Sequence, residues 1–215
     1  MAFIKSIVTD VAHPSEAQAS QSTSALEARF IEHLLSQLND SSAEVRRWAA
    51  RDLIDCPDSS QQLVQRLSIE PEDSVREVIL TTLIHFGDQV AVMGLVQCLR
   101  SEDTALRNEV IEALKMLPDA VAPIMRGLLA DEESDVRIFA VNILESLRHP
   151  EVETWLSEVI EHDPHVNVCG TAVDLLGEVG SRNVLEPLLR LKARFSREPY
   201  IQFAADLAIK RILEG

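Results

Sequence analysis

The chain has 215 residues, a formal net charge of −15 and 46% apolar residues. That apolar share can fill a sizeable core, while a surface this acidic repels phosphate backbones and sets nucleic acid aside as a partner. Aromatics at 4% and only seven glycines, beside abundant Leu, Ala, Val and Ile, favour packed helices over a β-sandwich or barrel.

Charge is spread unevenly. The segment 181–215 holds seven basic groups against four acidic ones, so the negative charge is concentrated before it. Cys56, Cys98 and Cys169 are odd in number, widely spaced and without a CxxC pair, which reads as reduced thiols in a cytoplasmic protein. The opening residues lack the pattern of a secretion signal, and no apolar run reaches the ~18 residues a membrane span needs.

In chain order, residues 1–24 read as an N-terminal extension. Phe3, Ile4, Ile7, Val8 and Val11 share one face of a two- to three-turn amphipathic helix. It is too short to be stable alone, so it either folds back on the rest or docks on a partner. The stretch HPSEAQASQSTS that follows has linker composition.

From residue 25 onward a unit of about thirty residues repeats six times. Its anchors are Val45, Val75, Leu106, Val136, Val168 and Tyr200. Small or apolar residues recur four, five and eight positions later, as in Ala49, Ala50 and Leu53 or Ala140, Val141 and Leu144. Offsets 0, 4, 5 and 8 lie along one helical face. A second apolar helix precedes each anchor, for example IEHLLSQL, AVMGLVQCL and VETWLSEVI, with a polar break such as Asn39-Asp40-Ser41-Ser42 between the two. A single such pair cannot bury its own apolar face, but stacked pairs build a continuous core. The fold predicted is all-α: a right-handed α-α superhelix of six helix pairs, about 12 helices, over residues 25–215.

This pattern resembles the HEAT repeats of the phycobilisome-lyase type. The core D-x-x-x-x-V-R-x-x-A-A-x-x-L stands at Asp40, Val45-Arg46, Ala49-Ala50 and Leu53, and at Asp131, Val136-Arg137, Ala140-Val141 and Leu144. Pro123 and Pro187 fall in first helices, where HEAT repeats often carry a bending proline. Arg46, Arg76, Arg107 and Arg137 follow the first four anchors, and Cys169 and Ile201 replace that Arg in the last two. Acidic residues stand five before several anchors (Asp40, Glu70, Asp131, Asp163), so the arginines are expected to form a ladder of carboxylate pairs between neighbouring repeats.

Offsets 2, 3, 6 and 10 should face the inner, concave surface. The partner-binding candidates there are Arg47, Trp48, Arg51, Glu77, Thr81, His85, Asn108, Glu112, Ile138 and Asn142. Arg-Arg-Trp…Arg is the sharpest local signal, since Trp and Arg are enriched at binding hot spots; the other reading has Trp48 cap the open end of the core. Phe139 and Phe203 are expected to be partly core and Trp155 to pack inside. No phosphate loop, nucleophile elbow or Cys–His pair occurs. The EHDPH segment at 161–165 reads as turn composition rather than a metal site, since a metal needs three or four converging ligands.

The resulting expectation is a non-catalytic scaffold without cofactor, catalytic residue or metal. It would grip a larger protein complex, a multisubunit metalloenzyme such as nitrogenase for example, although no residue selects that partner. Nucleic acid, a membrane and a small-molecule ligand are not expected. The runner-up, implied by the resemblance, is a phycobilin lyase-like or phycobilisome-associated chromophore-handling subunit.

Overall fold

The computed structural model describes residues 16–214, and among these no strand occurs. The amphipathic segment around Phe3, Ile4, Ile7, Val8 and Val11 lies outside the described residues. The helices are α1 (Glu16–Gln37), α2 (Ala43–Asp52), α3 (Ser60–Leu67), α4 (Asp73–Phe86), α5 (Gln89–Cys98), α6 (Thr104–Lys115), α7 (Pro118–Val121), α8 (Met125–Leu129), α9 (Ser134–Leu144), α10 (Val152–His162), α11 (Val166–Val179), α12 (Leu185–Arg194) and α13 (Pro199–Glu214).

These are six pairs, as the repeat predicts. The first helix of pair four comes in two pieces, because Pro123 lies in a 3-10 turn at Ala122–Ile124 that separates α7 from α8. Pro187 causes no such break. It occupies the third residue of α12, where the missing N–H removes no intrahelical bond. The linker reading of 13–24 is corrected from Glu16 onward: no Gly or Pro follows Pro14 there, and Ala, Glu and Gln let α1 extend back to Glu16.

Second helices pack on second helices in series, α2 on α4, α4 on α6, α6 on α9, α9 on α11 and α11 on α13. First helices form the other layer, with α3 against α5 and α10 against α12. One continuous apolar core runs between the layers from Leu34 to Ala208. The apolar offsets predicted from the repeat fill it: Ala49, Ala50, Leu53, Ile79, Leu83, Val110, Leu114, Ala140 and Leu144 are buried. Close packing of α5 on α3 depends on Gly94, where a Cβ would overlap the Val64 side chain. Gly87 ends α4 in the left-handed region at φ 56°, and its N–H donates to Leu83 O.

The last repeat departs from the expected register. Tyr200 is 53% exposed, and its neighbour Ile201 takes the buried place. The Tyr200 hydroxyl instead donates to Asp174 on α11, which, with burial, pushes the phenol up to about 12. Phe139 is partly buried against the core and Trp155 is buried, both as expected, whereas Phe203 is exposed. It lies on the side of α13 opposite Ile201, Ala204, Ala205 and Ala208, which already satisfy the contact with α11.

Candidate functional site on the second-helix face

The residue after each anchor fastens its own repeat. Arg46 Nη1 donates to Asp40 O (2.9 Å), Arg76 Nη1 to Glu70 O (3.3 Å), Arg107 Nη1 to Ser101 O, and Arg137 Nη1 to Asp131 O (2.8 Å). In every case the acceptor is the carbonyl six residues back, in the turn between the paired helices. A guanidinium thereby satisfies a backbone acceptor that the helix ladder leaves open.

Three of these arginines also pair with carboxylates of the next repeat, whereas Arg107, among the described residues, bonds only within its own, to Ser101 O and Thr104. Arg46 forms a bidentate pair with Glu70 (2.8 and 2.7 Å), and Arg137 one with Asp163 (2.6 and 3.1 Å). Burial pushes the Glu70 carboxyl up, but hydrogen bonds from Arg46 and Arg66 and from the Glu72 N–H outweigh it and hold the group at about 2. The predicted ladder is therefore present at these two junctions, with two differences. Arg76 pairs with Asp103, Asp73 and Glu109, because Ser101 stands where the −5 acid would be. Asp131 is taken by Arg100 from the turn just after α5.

At the fifth repeat the fastening residue is Cys169, whose Sγ lies 3.3 Å from Asp163 O. Arg194, on the next first helix, sends Nη2 to the same carbonyl and to Ile160 O, each at 2.9 Å. Burial pushes the Cys169 thiol up to about 11, which makes it an inert packing group. Asp163 of EHDPH is thus a ladder carboxylate, Glu161 pairs with Arg190, and His162 Nδ1 is engaged with Glu158 O. Among the described residues no cluster of three or more metal-type ligands occurs.

With the junctions fixed, the second helices present a groove of about 990 Å³ between α4 and α6. Leu80, Ile84, Ala113 and Met116 form its floor, and Asp73, Glu77, Glu109 and Glu112 its rim. Met116 is 67% exposed, an unbranched apolar side chain open to solvent. Lys115 is the basic group on the lining, and it is held by Glu112 (3.0 Å) and Glu145 (3.1 Å). Glu77 has no ion pair among the described residues.

The structure brings Glu77, Thr81, Asn108 and Glu112 together in this groove and leaves His85 outside it, exposed beside Phe86. Ile138 and Asn142 on α9 are half-buried, and Ile138 packs on the core. On α2 the Arg-Arg-Trp…Arg signal forms a stack: the Arg51 guanidinium lies 4.0 Å from the Trp48 ring centre and that of Arg47 5.7 Å. Trp48 is 44% exposed and does not cap the core. Sequence reasoning missed the groove floor. Leu80, at offset 5, reads only as a packing position and Ala113 lies at an offset the repeat does not use, although Met116 at offset 10 marks an apolar residue where a polar one is the rule.

Comparison with known proteins supplies the context. The family model of HEAT repeats matches residues 31–115, 60–138 and 121–205. A curated relative, the bilin biosynthesis protein PecE of Mastigocladus laminosus, is 28% identical over 174 residues, which is 79% of this chain and 62% of that protein. This chain thus spans less than two thirds of that relative's length. Among solved structures, Cex1p is similar with TM-score 0.50 and 14% identity, over 86% of this chain and 43% of that one. The complex of CpcE and CpcF of phycocyanin lyase from Nostoc sp. PCC7120 is similar with TM-score 0.35 and 15% identity, over 98% and 100%. The expectation that the chain is no enzyme is corrected: the relative it matches, PecE, is a bilin biosynthesis protein. The matched windows together cover most of the chain, which belongs to the HEAT-repeat family.

Proposed function

We propose that the protein is a lyase-type subunit in bilin–protein assembly, and that its second-helix face holds the polypeptide that receives the bilin. The groove between α4 and α6 carries this reading. An apolar floor suits an amphipathic helix laid in by its apolar face, and basic flanks suit the rim: Glu77 has no ion pair among the described residues, and Asp73, Glu109 and Glu112 share the two cations Arg76 and Lys115, so the edge stays net negative. A free bilin carries propionate carboxylates, which this rim repels, so the groove favours polypeptide over pigment. The likeness to PecE supplies the bilin side of the proposal.

The test is calorimetric titration of the protein with an apo-phycobiliprotein subunit, with and without a bilin. Saturable binding of the apo-subunit, weakened about tenfold or more by Glu77→Lys with Glu112→Lys, is the expected result. Binding of the bilin alone, unchanged by those substitutions and with no affinity for the apo-subunit, would contradict it.

A further inference from the structure

The outer face of α13 carries a second surface that the groove does not involve. Ile201, Ala204, Ala205 and Ala208 point inward, and among the described residues the opposite side is open to solvent, apart from Lys192 of α12 at its edge. There Phe203 is 66% exposed, Leu207 38% and Leu213 52%, with Asp206 and Lys210 also exposed between them. At 100° per residue these five side chains share one stripe of the helix. Three large apolar groups on one solvent-facing helix stripe are a docking surface rather than scattered exposure.

The order of the stripe is self-complementary. A two-fold axis passing beside Ala208 of two antiparallel α13 helices sets Phe203 against Leu213 of the other copy. The same axis sets Asp206 against Lys210 and places Leu207 near the centre. Each contact then occurs twice, which is the signature of an isologous interface. The carboxylate of Asp206 also holds Lys192 of its own chain, which orients it at the edge of the stripe. Lys210 is weakly engaged, 3.8 Å from Glu214, and is available to a second carboxylate. Seating α13 on the acidic groove of another copy would leave Asp206 facing carboxylates, so the like-with-like arrangement is the one the charges favour.

We infer that α13 is a homodimer interface, in which Phe203, Leu207 and Leu213 form the buried centre and Asp206–Lys210 pairs set the register. Sedimentation equilibrium of the full chain tests it. A dimer is expected, and Phe203→Asp should raise its dissociation constant about tenfold or more with helicity retained. Asp206→Lys or Lys210→Asp alone should weaken the dimer, and the two together should restore it, because the swapped pair is again self-complementary. This rescue keeps the test decisive if Phe203→Asp disturbs folding. A monomer at every concentration up to the millimolar range overturns the inference. So does a dimer that is indifferent to the charge swap, or one that Glu77→Lys breaks.

Discussion

The junction between the first two repeats and the junction between the last two do the same job with different residues. In the first, Arg46 fastens its own turn through Asp40 O and spans to Glu70, so one side chain serves both purposes. In the second, Cys169 is too short and too weak a donor, and Arg194 reaches back from the following helix to Asp163 O and Ile160 O. One junction is closed by a buried ion pair, the other by neutral acceptors with the partly exposed Arg190–Glu161 pair beside them. What persists between them is the open carbonyl in the inter-helix turn, which must find a donor, and not the identity of that donor.

The two junctions should therefore fail differently. Glu70→Ala strands two nearly buried guanidiniums, Arg46 and Arg66, and is expected to cost about 3–5 kcal/mol in urea unfolding. Arg194→Ala removes hydrogen bonds from carbonyls without stranding a charge, so about 1–3 kcal/mol is expected. Adding Cys169→Arg to Arg194→Ala returns a donor to the Asp163 carbonyl, but Phe195 stands where the partner acid of the first junction would be, so only part of that loss should be recovered. No recovery would show that the fifth repeat has been repacked around the thiol.

Acid sharpens the contrast. The Glu70 carboxyl is lowered in the fold from an ordinary 4.5 to about 2, so its contribution is complete above about 4.5 and is lost as pH falls toward 2. The stability gap between the wild-type protein and Glu70→Gln should shrink across that window, as chemical unfolding at successive pH values would record. Arg194→Ala, whose partners are carbonyls, should lose the same amount at both ends. The smallest effect belongs to the exposed stack on α2. Arg51→Ala should change stability by no more than about 1 kcal/mol while altering the fluorescence of Trp48.

Much of this was legible in the sequence for one reason: the repeat presents each structural problem six times. Offsets 4, 5 and 8 recur in register, and their burial followed. The Arg at offset 1 with an acid five before the anchor announced the bidentate pairs at Glu70 and Asp163. The partner of Arg76 did not follow from that rule, because Ser101 broke it and Asp103, two residues on, took over. Arg194 was invisible as a fastener, since nothing local links it to a turn thirty-one residues earlier. Tyr200 misled because an aromatic at an anchor position looks buried, yet a hydroxyl with Asp174 in reach gains more at the surface. On the second-helix face, four of the ten candidates line the groove, since offsets 2, 3 and 6 were assigned to a face without knowing where neighbouring helices part. That parting depends on tertiary packing and leaves no periodic mark.

Hydrogen exchange of the protein bound to an apo-phycobiliprotein subunit tests the central claim most directly. The account predicts new protection along α4 and α6, around Glu77, Thr81, Asn108 and Glu112, with the first helices α3 and α5 unchanged. Protection confined to α3, α5 and α12, with α4 and α6 exchanging as in the free protein, would contradict it.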